Sequence, residues 1–198
     1  MNVYKKIALL SALLCALTHY ASGLTPWLEV KPSYFLFTNS VMRSIYHHGG
    51  VEIQGSASIP VWNYLDFYTS IGYRRVHGHA LNTCENTTLT VLPCDIGLKP
   101  IINFCERFYY FFAIGPRFFY FRQHNTSPYV DCKITGGNVG LFANTGFNVE
   151  LSHNLLLGIF GEYSYEKKAI CPQKPNVYSN GSVQMGGIAV GISFGYAF

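Results

Sequence analysis

The sequence has few charged residues and, beyond its first residues, no apolar segment of the length that a membrane helix needs. Asp, Glu, Lys and Arg together make up 12% of the 198 residues, whereas the usual charged fraction is about 25%. Aromatic residues make up 16% instead. After residue 23 no unbroken apolar run approaches the roughly 20 residues of a transmembrane helix. A bundle of membrane helices is therefore excluded, and a net charge of +4 gives no indication of a nucleic-acid partner.

Recognisable catalytic and metal-binding motifs are also missing. The chain contains no H-E-x-x-H, no C-x-x-C and no phosphate-binding glycine loop. Gly191-x-Ser193-x-Gly195 matches a nucleophile pattern, but that pattern needs a strand–turn–helix elbow and a later His, and no His follows Ser193. We therefore predict no catalytic residue, no metal site and no cofactor.

The first residues form a predicted signal peptide. Lys5 and Lys6 give a positive segment, residues 7–17 are apolar, and Ala21-Ser22-Gly23 supplies the small residues of a cleavage site. The sequence thus predicts a signal peptide over residues 1–23 and one domain over residues 24–198. Export also permits disulfide bonds among the cysteines of the mature chain.

The rest of the chain alternates with the period of two that is typical of β-strands. Eight strands are predicted near residues 27–38, 50–62, 65–77, 88–102, 108–122, 138–151, 155–167 and 183–198. Short connections alternate with longer ones near 39–49, 78–87, 123–137 and 168–182, which are rich in His, Asn, Gly, Pro and Ser. This alternation is typical of a transmembrane barrel with short periplasmic turns and long outer loops. We therefore predict an all-β, eight-stranded antiparallel transmembrane β-barrel with both termini in the periplasm.

In most strands one face is polar and the other apolar. A barrel in lipid turns the apolar face outward, so its lumen would hold charges of both signs, and these are expected to pair because an isolated buried charge is very costly. The predicted lumen charge network consists of Glu29, Lys31, Glu52, Asp66, Arg74, Asp95, Lys99, Arg117, Glu150 and Glu162. The first and fifth strands break the rule, since Phe35, Phe37, Phe119 and Phe121 fall on the inner face. A packed interior is expected, with a water-filled path as the alternative.

Residues 191–198 alternate between small and large apolar side chains. Gly, Ser and Ala occupy one face, and Ile192, Phe194, Tyr196 and Phe198 occupy the other. A soluble lipocalin-like barrel would leave these four residues in water opposite a lumen of Gly and Ala. A membrane helix is disfavoured by the glycines and the strict period of two. The segment instead resembles the terminal strand by which bacterial outer-membrane barrels are recognised for assembly.

The mature chain as a whole resembles small eight-stranded outer-membrane barrels of the OmpA, OmpX and opacity-protein type. The resemblance implies an integral location in the bacterial outer membrane. Its implied partners are outer-membrane lipid, lipopolysaccharide and the barrel assembly machinery. The resemblance rests on pattern, and its most specific element is the terminal aromatic strand.

Five cysteines remain in the predicted mature chain, an odd number that leaves at least one thiol free or shared with another chain. Cys84, Cys132 and Cys171 lie in separate long loops, and we predict that two of them form a disulfide. The content of cysteine is similar to that of the cross-linked envelopes of chlamydiae, which implies disulfide-linked envelope proteins as further partners.

Two classes of function remain open. The first is a non-enzymatic surface barrel that serves envelope structure, adhesion or binding of a host surface ligand, favoured because loops carry recognition. The second is a small-solute channel or a lipid-modifying enzyme that uses a loop histidine. The histidines of the long loops are His47, His48, His77, His79 and His124, with Ser44, Glu85 and Asp131 as candidate partners.

Overall fold

The protein is a closed barrel of eight antiparallel strands. A computed structural model describes residues 26–79, 85–126, 133–152, 154–169 and 182–198. The barrel strands are β1 (Trp27–Phe37), β2 (Gly50–Trp62), β3 (Leu65–His79), β4 (Asn86–Cys105), β5 (Phe108–Asn125), β6 (Lys133–Ser152), β7 (Leu155–Tyr165) and β10 (Gly187–Ala197). Each strand pairs with its neighbour in sequence, and β1 pairs with β10 to close the ring. Closure leaves no unpaired strand edge, and it confirms the predicted eight-stranded fold.

The two ends of the barrel differ. Strands β2 and β3, β4 and β5, and β6 and β7 are joined by short connections at one end, which we call the turn end, with described turns at 63–64 and 106–107. The backbone N–H of Phe198 donates to the carbonyl of Pro26 over 3.1 Å, so the first and last described residues meet there too. The strand ends that lead into the four longer connections lie at the opposite end, which we call the loop end. The predicted signal peptide, residues 1–23, lies outside the described residues.

Side-chain burial follows the pleat of the strands. In β3, for example, Asp66, Tyr68, Ser70 and Arg74 are buried while Ile71 is exposed. Below the loop end the exposed positions of the barrel strands are mostly apolar, so the molecule presents an apolar outer wall around a polar and aromatic interior. This arrangement inverts that of a soluble barrel and satisfies the requirements of a lipid environment.

The loop end departs from the predicted boundaries in two places. The segment predicted as a plain loop at 39–49 contains a helix, α1 (Ser40–Ile45), whose first N–H groups are capped by the Asn39 side chain. Gly49 follows it with φ of 61°, a conformation that favours glycine. Helix α1 has 6 residues, and no helix in the described part of the chain is long and apolar enough to cross a bilayer.

The seventh and eighth predicted strands extended too far toward the loop end. The barrel strand β7 ends at Tyr165, and β10 begins at Gly187 rather than at 183. Between them β8 (Lys167–Ala169) and β9 (Ser182–Gln184) pair in a separate two-stranded sheet. Strands β4, β5 and β6 are instead longer than predicted, at 20, 18 and 20 residues, against 11 in β1, β7 and β10. The wall built by β3 to β6 therefore rises above the rest.

Candidate functional site in the lumen and at the loop end

An apolar cluster closes the loop end of the lumen. Its centre consists of the four phenylalanines that broke the polar pattern on the inner face, Phe35 and Phe37 from β1 and Phe119 and Phe121 from β5. The remaining members are Met42, Tyr46, Val76, Leu89, Val91, Met185 and Ala189. Helix α1 contributes Met42, with Tyr46 directly after it, so the first long connection folds back into the barrel mouth. We call this set of eleven buried side chains the apolar cap.

A buried group of ions lies below the apolar cap and centres on Arg117. Its guanidinium contacts both oxygens of Asp95, with Nε to Oδ1 at 2.5 Å and Nη2 to Oδ2 at 2.6 Å, which is a bidentate geometry. The remaining nitrogen Nη1 lies 2.5 Å from Glu162 Oε1. Ser70 donates a further hydrogen bond to Asp95 Oδ2 over 2.6 Å. One cation thus neutralises carboxylates from two different strands.

A second ion pair joins this group through an amide. Arg74 Nη1 lies 2.9 Å from Glu52 Oε2, and the Arg74 guanidinium stacks over the Phe35 ring at 3.4 Å, which connects the ions to the apolar cap. Gln54 Nε2 donates to Glu52 Oε1 over 2.5 Å and to Glu162 Oε1 over 3.2 Å. One network, which we call the upper network, therefore links strands β2, β3, β4, β5 and β7 through the lumen.

A second cluster, the lower network, is built around Glu29. Its carboxylate lies 3.2 Å from Lys99 Nζ and 3.6 Å from Lys31 Nζ, and it accepts a hydrogen bond from Asn148 over 3.0 Å. Lys99 also donates to Ser58 over 3.1 Å. Strands β1, β2, β4 and β6 meet here, so the lower network crosses the lumen as the upper one does.

Aromatic rings contact the ammonium groups of the lower network. Lys31 Nζ lies 4.9 Å from the centre of the Phe160 ring, 5.1 Å from that of Phe111 and 5.2 Å from that of Tyr68. Lys99 Nζ lies 4.6 Å from the Phe111 ring. Cation–π contacts of this kind stabilise a desolvated ammonium. These rings, and the bridging amides Gln54 and Asn148, lie outside the predicted network, which contains charged residues only.

The middle of the lumen is closed to water. The accessible surface of Lys31, Glu52, Gln54, Arg74, Lys99 and Arg117 is 0%. A continuous aqueous path would leave part of these side chains accessible, since they occupy the inner wall. Desolvated charges are tolerated only when they are paired and hydrogen-bonded, and the two networks supply those partners. We call this interior the sealed lumen.

Two of the predicted charges form no ion pair with the networks. Asp66 is buried near the turn end, and within the described residues no ion pair includes it. Glu150 is only partly buried, and its Oε2 accepts a hydrogen bond from the Tyr109 hydroxyl over 2.6 Å. The other eight predicted residues lie in the upper and lower networks.

The loop histidines do not assemble into a reactive group in the described part of the chain. His77 Nδ1 lies 3.1 Å from Thr88 Oγ1 on the outer wall, and His47 and His48 are exposed beside α1. No cluster of three or more His, Cys, Asp or Glu side chains among the described residues could hold a metal ion. The candidate partner Asp131 lies outside those residues. The described residues at this end of the barrel therefore show no arrangement of side chains that supports the alternative of a histidine-dependent enzyme.

Two cysteines of the predicted mature chain lie among the described residues, and three lie outside them. Cys94 lies on the outer wall, half-buried, and Cys105 is exposed at the turn end; both are free thiols. Cys84, Cys132 and Cys171, the predicted disulfide residues, lie outside the described residues, and their pairing stays a prediction.

The residues of the terminal strand face outward. Ile192, Phe194, Tyr196 and Phe198 are between 43% and 61% exposed on the outer wall of β10 and just after it. The opposite face of β10 carries Ser193 and Gly195, and a side chain at position 195 would approach Glu29. The small residues therefore leave room for the lower network, while the large ones extend the apolar wall.

An eight-stranded barrel with an apolar outer wall and a polar, sealed lumen is a barrel of the outer-membrane type. The outer membrane protein OprG of Pseudomonas aeruginosa is similar in structure, with a TM-score of 0.58 and 13% identity over 88% of this chain and 94% of that one. Neisserial surface protein A follows with a TM-score of 0.55 and 14% identity over 89% and 98% of the two chains.

A third similar structure is the attachment invasion locus protein Ail of Yersinia pestis, in complex with the heparin analogue sucrose octasulfate. Its TM-score is 0.53 and its identity 8%, over 88% of this chain and 97% of that one. No protein-family model matches this sequence, and no curated protein matches it either. At such identities the shared property is the fold, that of small eight-stranded outer-membrane β-barrels.

Proposed function

We propose that this protein is a non-enzymatic, integral outer-membrane barrel that does not conduct solutes and acts through its loop end, in envelope structure or in binding at the cell surface. The observation that carries the proposal is the sealed lumen. A barrel whose interior is filled by an apolar cap and two ion networks offers no path for a substrate, which leaves the loops as the surface available for recognition.

Two further features support an outward-facing loop end. Short turns and both chain ends gather at one end of outer-membrane barrels, and the longer connections extend outside the cell. The described charged residues at the loop end are mostly basic, with Arg43, Arg75 and Arg122 exposed. Positively charged surfaces favour contact with anionic surface polymers. The similar fold of Ail, crystallised with a heparin analogue, makes a sulfated polysaccharide a reasonable first ligand to test.

The assembly partner follows from the outer face of the terminal strand. Ile192, Phe194, Tyr196 and Phe198 form the large-residue face that the barrel assembly machinery would recognise, and they would then remain against lipid. Cross-linking of the odd cysteine to other envelope proteins is part of the same proposal.

The test of this function combines three measurements, made on the refolded protein and on two strains that display the barrel with and without its long loops. In planar bilayers the barrel is expected to give no discrete conductance. Cells that display it are expected to adhere to a heparin-coated surface better than cells that display a variant with the long loops shortened. Incubation with phospholipid or lipid A is expected to release no fatty acid.

Each alternative has a distinct signature in that test. Discrete conductance steps would replace the surface role with a channel. Fatty-acid release that disappears on substitution of His77 and His79 would replace it with a lipid-modifying enzyme. Equal adherence of the two displaying strains would leave no support for polyanion binding and would overturn that part of the proposal.

A further inference from the structure

Basic side chains form two rows on the outer wall of β3, β4 and β5, at the loop end. Arg75 pairs in register with Thr90, and Thr90 pairs with Arg122. One step closer to the loop end, His77 pairs with Thr88, and Thr88 with His124. Since these residues alternate with the buried Arg74, Val76, Leu89, Val91 and Phe121, their side chains point away from the lumen. We call Arg75, Thr90 and Arg122 the basic row.

The basic row is confined to one side of the barrel. Outward positions on β1, β2, β7 and β10 carry no charged side chain at any described residue. Arg75 and Arg122 are exposed, and within the described residues neither takes part in an ion pair. Neighbouring strands are about 4.8 Å apart, so their backbones lie roughly 10 Å apart with Thr90 between them. Two long guanidinium side chains at that separation can converge on one anion.

An apolar groove lies directly below the basic row. The next outward row toward the membrane centre contains Tyr73, Leu92, Tyr120 and Gly137, and the row after it contains Ile71, Cys94, Phe118 and Val139. Rows on one face are roughly 7 Å apart along a strand. The groove has a volume of about 620 Å³ and is lined by these two rows except Tyr73, together with Phe119 and Asn138. Gly137 leaves it open, because glycine has no side chain to fill the space between Tyr120 and Val139.

The height of the basic row matches the surface of a bilayer. Below it, the outward residues of β3 and β5 are apolar or aromatic all the way to the turn end, apart from Thr69. Tyr73 and Tyr120 lie just below the arginines, where interfacial aromatic side chains are usually found. The arginines lie at the level of lipid headgroups when the barrel spans the outer membrane with its loop end outward, and the site proposed below rests on that proposed placement.

We propose that the basic row and the apolar groove together form a binding site for one phosphorylated, acylated glycolipid of the outer leaflet, that is, a lipid of the lipid A type. The phosphate accepts hydrogen bonds from Arg75 and Arg122, whose planar guanidinium groups suit bidentate contact with phosphate oxygens. The Thr90 hydroxyl lies between them as a neutral donor. One acyl chain lies in the groove against Leu92, Phe118 and Val139.

The site goes beyond surface adhesion because it would fix the barrel to a lipid on one side only. The taller wall of β3 to β6 carries the site, so bound glycolipid would surround the side of the barrel that rises farthest from the membrane. A general lipid annulus would instead bind all sides alike and would not depend on two particular arginines.

The experiment measures glycolipid retained by the refolded full barrel in detergent, using native mass spectrometry. The probes are diphosphorylated lipid A, the same lipid after dephosphorylation, and phosphatidylcholine. We expect one lipid A to remain bound, and the double variant Arg75→Gln/Arg122→Gln to bind it about tenfold more weakly, since each charge-assisted contact to phosphate is strong. Arg107→Gln, an exposed arginine at the turn end, is the matched control and is expected to bind as the unsubstituted protein does.

The groove is tested separately by filling it. A side chain at position 137 meets its nearest atom, the Phe119 carbonyl oxygen, at an ordinary 3.4 Å, so Gly137→Leu should fold and occupy the groove. It is expected to weaken binding, whereas Gly161→Leu on the neighbouring strand β7, which does not line the groove and where nothing lies within 4 Å of an added Cβ, is not. Unchanged binding by the double arginine variant, or equal binding of dephosphorylated lipid, would overturn the proposal.

Failure of this site is distinguishable from failure of the proposed function. A conducting or non-adherent barrel that still retains lipid A through Arg75 and Arg122 would reject the surface role and keep the site. A non-conducting, adherent barrel that shows no preference for lipid A would keep the surface role and reject the site.

Discussion

Arg117 and Glu162 form an ion pair across two strands that do not touch. Arg117 Nη1 lies 2.5 Å from Glu162 Oε1, while β5 and β7 are separated in the sheet by β6. The pair therefore crosses the lumen instead of following the backbone hydrogen bonds of the wall. Because Arg117 also holds Asp95, a single side chain neutralises two buried acids and connects three strands.

Removal of Arg117 should be strongly destabilising. In Arg117→Met the carboxylates of Asp95 and Glu162 lose their shared cation inside a dry lumen. Breaking a buried pair in this way costs about 3–5 kcal/mol. Urea unfolding of the refolded barrel in micelles, followed by tryptophan fluorescence, measures the loss. Arg107→Met, at the exposed turn, serves as the control, and equal unfolding midpoints for the two variants would contradict a structural role of the upper network.

A methyl group at position 158 should disturb the lower network. The added Cβ of Gly158→Ala would overlap Asn148 Oδ1 and lie 2.5 Å from Ser193 Oγ. Asn148 would have to move away from Glu29, to which it donates a hydrogen bond over 3.0 Å. Overpacking of this kind costs about 1–3 kcal/mol. Gly161→Ala, on the same strand but facing outward into open space, is expected to leave the unfolding free energy nearly unchanged. An unchanged unfolding free energy for Gly158→Ala would contradict close packing around Asn148.

A charge at position 198 should impair membrane assembly. Phe198 is exposed on the outer wall and packs edge-on against Tyr196, with ring centres 4.9 Å apart. Phe198→Asp would place a carboxylate on the apolar face that is proposed to bind the assembly machinery. The amount of folded, heat-modifiable barrel in the outer-membrane fraction is expected to fall, while Phe198→Tyr keeps the ring and should assemble normally. Normal assembly of the aspartate variant would remove the proposed signal.

The two described thiols should differ in reactivity. Cys105 is exposed at the turn end, whereas Cys94 faces the apolar groove on the outer wall. In proteoliposomes a charged, water-soluble maleimide is expected to label Cys105 and to leave Cys94 unlabelled, because the reagent does not enter the hydrocarbon region. Single-cysteine chains that retain one of the two residues provide the comparison. Rapid labelling of Cys94 would place that part of β4 in water and contradict the proposed membrane position.

Much of the fold could be predicted from the alternation of side chains. Strands such as β2 and β7 separate polar from apolar residues at a period of two, and that pattern sets which face meets the lumen. The boundaries at the loop end could not be predicted as well. Residues 182–184 continue the strand pattern of β10, yet they pair with β8, because β7 has already left the barrel wall at Tyr165.

The contacts within the apolar cap could not be predicted from the sequence either. Phe35 and Phe119 were recognised as exceptions to the polar inner face, but nothing near them in sequence indicates what they contact. Their partner Met42 comes from a helix of 6 residues, and their partner Tyr46 follows that helix, in a segment predicted as a loop. Such a short helix is stabilised by burial in the barrel mouth rather than by its own propensity.

The sequence by itself determined the class of structure, since the period of two, the scarcity of charge and the outward aromatic residues of the last strand together predict a barrel with an apolar outer wall. It also determined which charged residues point inward. Only the tertiary structure decided how those charges pair, that the apolar cap closes the loop end of the lumen, and that Arg75 and Arg122 lie on either side of Thr90 above an apolar groove. These relationships depend on strand register and on contacts between residues far apart in the chain, and neither is encoded in any local pattern.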